Sequence, residues 1–279
     1  MHLQLRLFLL CTLLLAAAPG ALADAWDDAS SSASRDAVML QVEKARIVGD
    51  LTKLIQLRAE IKENARDDYA ANYDLAYLLW RHGQLLDDDH HDDERQEIFE
   101  LAHERIERAL ELRPDDIEAR ILMSGTLNSL ASESLFARMR LGRRAYNLCL
   151  ENAERAPKNP RALIQRGLMY HFAPKTFGGD PAAAHATFRA AFDHFDPSEE
   201  GPGAWPNWGS VDSAGWLGQV LVKEGRIDEA RGVYQQALAA YPNARWIREE
   251  LLPKLEGEVA ARDEPETRAD TADKSRKEK

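Results

Sequence analysis

The sequence predicts an all-α fold: about five helical hairpins stacked in a row, with a capping helix after the last. Three observations predict it. Val211–Ala244 reads as two short helices joined at Gly225, with Leu217 and Gly218 in the first helix. Ala230, Tyr234 and Ala237 follow in the second, and Pro242 closes it. The same steps along the second helix recur upstream at Ala102, Ile106, Ala109 and Pro114, so one supersecondary unit is repeated. Finally, Gly49, Gly83, Pro157 and Gly225 punctuate the periodic stretches where helices should break.

The elements follow in order. Val38, Leu40, Val42 and Ala45 take helical spacing, the chain breaks at Val48-Gly49-Asp50, and Leu51, Leu54, Leu57 and Ile61 form a second helix, giving a degenerate first hairpin. The second hairpin begins near Tyr69, carries Leu75, Leu78 and Leu79, and ends its first helix at Gly83. An insertion, LLDDDHHDDERQEIFE, then lengthens the turn and the start of the second helix. In the third hairpin Ile117–Leu130 and Phe136–Arg155 are the helices, with Ala145, Cys149, Asn152 and Pro157 at the repeat positions and a further insertion around Ser132–Leu141. Asn152 replaces an alanine, which calls for looser packing or a compensating hydrogen bond. The fourth hairpin places Gly167 and Tyr170 against Ala184, Phe188 and Ala191. A long connection rich in Gly, Pro and Trp leads to the fifth hairpin. Arg245–Ala261 reads as a final helix interrupted at Pro253, covering the end of the stack.

The flanks have a different character. His2 and Arg6 precede an apolar run from Leu7 to Ala18, too short to span a bilayer, and Ala21-Leu22-Ala23 supplies a small-residue cleavage site. Residues 1–23 are therefore expected to be a cleavable signal peptide, 24–35 a flexible leader, 36–261 the repeat domain and 262–279 a disordered charged tail. The protein is expected to be periplasmic or secreted, with no membrane insertion after cleavage, and its mature form retains one thiol, Cys149. A formal net charge of −11 argues against nucleic acid or an anionic membrane as the main partner. No Lys/Arg run is expected to dominate any helix.

The Leu217-Gly218, Ala230, Tyr234, Ala237 and Pro242 pattern resembles a tetratricopeptide repeat. That resemblance implies a right-handed superhelix of hairpins whose first helices line a concave groove. Further segments narrow it. Phe177-Gly178-Gly179-Asp180, Pro206-Asn207-Trp208-Gly209, and Trp246 with Leu251-Leu252-Pro253 together resemble a family of exported bacterial tetratricopeptide proteins. The FGGD turn is more weakly similar to one in the T-component of TRAP transporters, which implies, as the alternative, a ligand-handling accessory of a solute transporter. Read by local physics, Gly178 and Gly179 allow a sharp re-entrant turn, Asp180 caps the next helix, and Phe177 packs inward as a staple.

Transferring the groove positions of such arrays gives Tyr73, Tyr77, Trp80 and Arg81 in the second hairpin, and Ile121, Gly125, Asn128 and Ser129 in the third. The fourth contributes Ile164, Leu168, His171 and Phe172, the fifth Gln219, Val222 and Lys223. With Trp205 and Trp208 of the preceding loop, this surface would hold a protein or peptide of unspecified identity. The competing reading is that many of these aromatics pack against neighbouring helices. The dense Asp87–Glu94 cluster lacks the spacing and the glycine of a calcium loop, and reads as a solvated acidic insertion rather than a metal site. His171, His185 and His194 have no nucleophile or carboxylate at a motif spacing, Ser124 lacks a nucleophile elbow, and no phosphate loop is present. The sequence thus predicts a non-catalytic scaffold without a cofactor.

Overall fold

A computed structural model describes residues 35–61, 68–86, 92–195, 206 and 208–259. The expected signal peptide, nearly all of the expected leader, Trp205, most of the acidic cluster and the charged tail lie outside the described residues. The described chain forms five helical hairpins and a terminal helix, with no strand among these residues. The hairpins are α1 (35–48) with α2 (Leu51–Arg58), α3 (Tyr69–Leu85) with α4 (Asp92–Leu112), and α5 (Ile117–Glu133) with α6 (Leu135–Arg155). They continue as α7 (Pro160–Phe172) with α8 (Pro181–Asp193), α9 (Ser210–Lys223) with α10 (Ile227–Ala240), and the cap α11 (245–259).

Helix starts are written locally. Asp50, Asp68, Asp116, Ser134, Asn159 and Asp180 each accept a hydrogen bond from a first-turn amide, answering donors that the helix itself leaves unpaired. Pro160 and Pro181 sit at first helical positions, where a missing N–H is harmless. The repeat positions are buried as their spacing requires: Ala102, Ile106, Ala109, Ala145, Cys149, Ala184, Phe188, Ala191, Ala230 and Tyr234. At Asn152 the hydrogen bond is the compensation: its Nδ2 donates to the Arg120 carbonyl at 2.9 Å. A Cβ on Gly167 or Gly218 would lie 2.6 Å from Phe188 and 2.1 Å from Tyr234, so each glycine makes room for the aromatic of its partner helix.

Three local expectations are corrected. Gly83 does not end its helix: α3 runs on to Leu85, and Gly83 faces Phe99, whose ring a Cβ would meet at 2.5 Å. The third hairpin has no widened turn. Ser134 alone separates α5 from α6, because it caps α6 while the extra residues wind into the helices. Pro253 does not interrupt the last helix. The backbone loosens ahead of it into a π turn at Trp246–Leu251, in which the Leu252 amide reaches the Ile247 carbonyl. The wider turn relieves the clash a proline ring makes with the preceding turn. Ile247, Leu251 and Leu255 stay buried against α9 and α10.

One buried group makes stability depend on pH. His82 of α3 is almost fully enclosed, and neither ring nitrogen has a hydrogen-bond partner. Burial holds its pKa below the ordinary histidine value, opposed by Glu94 and helped by Arg58. Burial likewise lowers His103 and His171. In this window the unfolded chain binds more protons than the folded one, so stability falls as pH drops below the unfolded value of about 6.5. His82→Leu is expected to add about 1 kcal/mol at neutral pH by removing two unsatisfied polar atoms. It should also flatten the decline between pH 7 and 5. Urea titrations across that range check it; an unchanged slope would assign the acid sensitivity elsewhere.

Candidate functional site

The predicted groove residues fall into two groups, and the structure treats them oppositely. Tyr73, Tyr77, Trp80 and Arg81 lie along α3 and Trp208 just before α9. All five are buried, each at most 4% exposed. The Trp208 indole inserts among them. Its N–H donates to the Tyr73 hydroxyl at 3.2 Å, and its ring centroid lies 5.7 Å from Tyr77 and 5.5 Å from Trp80. The Arg81 guanidinium sits 4.3 Å from the Trp80 ring centroid and 5.3 Å from that of Trp208. Gly209 sends the tryptophan inward: its φ of 111° belongs to the left-handed region, and the chain turns there from the loop into α9. The expectation of an open aromatic surface at these residues is therefore corrected. Trp208, which was to meet a partner, fills this part of the groove itself.

Beneath that plug lies a charge network the sequence reading missed. Asp212, in the first turn of α9, accepts from Arg81 Nη2 at 3.1 Å and lies 3.2 Å from Arg46 Nη2 of α1. Glu43 pairs with Arg46 at 2.8 Å and accepts from the Tyr77 hydroxyl. Two guanidinia thus face two carboxylates in a nearly dry pocket. Burial alone would raise the Asp212 carboxyl, but Arg46 and Arg81 hold it below the usual range. Desolvation would lower Arg46, yet Asp212 and Glu43 raise it above its ordinary value. Residues 43 and 46 are helical neighbours, but Asp212 is 166 positions from Arg46. That separation left the network without a sequence signal.

In the second group Phe172 and Lys223 are exposed, while His171 and Gln219 are half-buried. His171 and Phe172 end α7, while Gln219 and Lys223 lie on α9, on the same stripe as Asp212. Lys223 Nζ donates to His171 Nε2 at 3.0 Å, so the imidazole acts as an acceptor. Burial, then the lysine charge, lowers the His171 pKa. Phe172 is 63% exposed and packs edge-on against Trp216, centroids 5.5 Å apart. Trp216 in turn meets Trp246 of the cap at 5.4 Å. The Gln219 Nε2 atom is buried and has no hydrogen-bond partner. Trp216 was absent from the sequence-derived set, although its position four residues after Asp212 and three before Gln219 places it on their stripe. Asn128 plays a different part: its amide donates to Gln165 Oε1 at 3.1 Å and contacts Cys149 Sγ at 3.6 Å, joining the third and fourth hairpins. Burial raises the Cys149 thiol to about 11, which leaves it protonated and unreactive near neutral pH.

The FGGD turn is architectural in its contacts. Gly178 takes φ 93°, and a Cβ on Gly179 would strike the Ala173 carbonyl oxygen. Asp180 caps α8 through the Ala182 and Ala183 amides. Phe177, expected to pack inward, is 75% exposed, because the turn's close contacts are made by glycine backbone against Tyr146 and Ala173 and leave the ring outside. This geometry gives no support to a ligand path at the turn. Among the described residues no group of three or more His, Cys, Asp or Glu could hold a metal ion, and no helix is long and apolar enough to cross a membrane.

Known proteins resemble the chain in fold. The tetratricopeptide-repeat family profile matches residues 212–252, the fifth hairpin and the start of the cap. The fold is a tetratricopeptide-type hairpin array. Among solved structures, the HusA haemophore from Porphyromonas gingivalis superposes with a TM-score of 0.51 at 18% identity. That match covers 70% of this chain and 93% of the haemophore. TTC0263, a thermophilic tetratricopeptide protein of Thermus thermophilus, matches at 16% identity and a TM-score of 0.43, covering 76% of this chain and 87% of its own. No curated protein sequence matches.

Proposed function

We propose that this protein is an exported, non-catalytic scaffold that binds a protein or peptide partner through the open C-terminal half of its inner face. The observation that carries the reading is the cluster of Phe172, Trp216, His171, Gln219 and Lys223, where an accessible aromatic edge adjoins unsatisfied and charged donors. Aromatic anchors with a few convergent polar groups are what a binding groove requires. The Lys223 ammonium and the Gln219 amide nitrogen are donors, so the segment they fit presents an apolar side chain next to carbonyl or carboxylate oxygens. The signal-peptide-like character of residues 1–23 supports export, the hairpin array supports scaffolding, and the filled N-terminal half leaves the other end for a partner.

A photo-reactive residue in place of Phe172, in cells carrying the full chain, tests this. A discrete cross-linked partner is expected, and it should vanish when Lys223→Glu is added. It should persist with Arg248→Glu on the outer surface of the cap. Cross-linking that is absent, or indifferent to Lys223, would sink the assignment.

A further inference from the structure

The second helices of the second and third hairpins outreach the others. α4 and α6 have 21 residues each, against 13 in α8 and 14 in α10. Their C-terminal ends stand in register at the repeat positions, so the surplus lies at the N-terminal ends and projects by about 10 Å. At the projecting end of α6, Leu135, Phe136 and Met139 are 73, 75 and 77% exposed. Their spacing places all three within one side of the helix. Arg138, Arg140, Arg143 and Arg144 surround and follow them, all exposed. Arg144 reaches Glu107 at 3.4 Å, whereas Arg138, Arg140 and Arg143 make no ion pair among the described residues. Most other arginines among the described residues are paired or stacked on rings. The expectation that no basic run dominates a helix fails here, at the segment LFARMRLGRR.

We propose that this tip docks peripherally on an anionic lipid surface. Three large apolar side chains lead and the guanidinia stand immediately behind them, the order in which a bilayer presents its acyl boundary and its phosphates. A tip that projects, rather than a cleft that encloses, suits a flat lipid surface better than a peptide. The net charge of −11 does not forbid it, because at physiological salt charges are screened beyond about 8 Å and the local arginines decide the interaction. Opposing charge lies on α4, where Glu100, Glu104 and Glu107 line a shallow cleft that also takes in Arg140, and towards the start of that helix. Arg95 ties Asp92 and Glu133 there, at 3.2 and 3.1 Å. Contact is therefore confined to the α6 tip, in keeping with a chain for which membrane is not the main partner.

The test is sedimentation with vesicles of phosphatidylglycerol and phosphatidylcholine, or of phosphatidylcholine alone, using the chain from Asp24 so that the apolar run 7–18 cannot insert. Binding to the anionic vesicles only is expected, weakening as salt rises. Arg138→Gln, Arg140→Gln and Arg143→Gln together should weaken it about a hundredfold, at roughly fivefold per arginine. Phe136→Ser with Met139→Ser should weaken it at least tenfold, and both variants should keep the parent's helical content and Tm, since they change exposed positions. Absence of binding to anionic vesicles, or binding that neither variant alters, would overturn the proposal. So would self-association abolished by the Phe136/Met139 variant without any vesicle binding, which would make the tip a protein interface.

Discussion

Asp212→Asn is expected to cost about 3–5 kcal/mol, the typical effect of removing one partner from a buried ion pair. The amide has nearly the same shape, so packing is retained and the loss is electrostatic. Arg46 would keep Glu43, and Arg81 would lose the one carboxylate it pairs with among the described residues. Urea denaturation of the parent and the variant measures it, and a difference below about 1 kcal/mol would mean that the network is effectively solvated. Adding Arg46→Met should recover part of the loss, since the surplus charge is removed with the arginine. The pH dependence has a definite sign. A carboxyl whose folded pKa is lowered gives stability that is present above its unfolded value, about 3.9, and lost as pH falls through the folded one. The Asn variant should therefore lose less stability than the parent below pH 4.

Trp208→Ala is expected to have a comparable effect, about 3–5 kcal/mol, as for other buried aromatic truncations. The indole is enclosed by Tyr73, Tyr77, Trp80 and Arg81, and its removal leaves a cavity among rings that cannot collapse onto one another from a helix already fixed by its hairpin. Trp208→Phe keeps most of the volume but deletes the donor to the Tyr73 hydroxyl, and should lose about 1–2 kcal/mol. Chemical denaturation ranks the two. Near-equal stability of parent and Ala variant would show that the ring is not seated in the groove. In the Ala variant Tyr73 and Trp80 should also become accessible to solvent quenchers, which in the parent they are not.

The hairpins were legible because their signals are local. A capping Asp or Asn, a proline at a first helical turn and a small residue opposite an aromatic each act within one hairpin, so Ala230, Tyr234 and Ala237 announce their burial in the sequence itself. The groove was legible only in half. Transferring inner-face positions named His171, Phe172 and Lys223, which lie in contact, Gln219, one turn from Lys223 on α9, and Tyr73, Tyr77, Trp80 and Arg81, among which Trp208 inserts. No periodicity tells an aromatic awaiting a partner from one covered by a distant loop, because the covering group arrives from 135 residues away. Glu43, Arg46 and Asp212 carried no signal for the same reason, their partners being far apart in the chain. The basic tip of α6 was passed over, because those residues were assigned to a widened turn and the structure winds them into helix instead.

The ion pair between Arg46 and Asp212 also joins the first hairpin to the fifth, and Ile47 lies in the same apolar cluster as Val211, Leu217 and Ile247. An open solenoid unfolds piecemeal, each unit resting only on its neighbours. Here the two ends of the row hold one another, so loss of either end unit withdraws support from both. The molecule should unfold in a single all-or-none transition, and a version lacking α11 should weaken the first hairpin as well as the fifth. Contacts between positions so far apart in the chain also place it among slow folders, because the ring closes only after the intervening hairpins have formed.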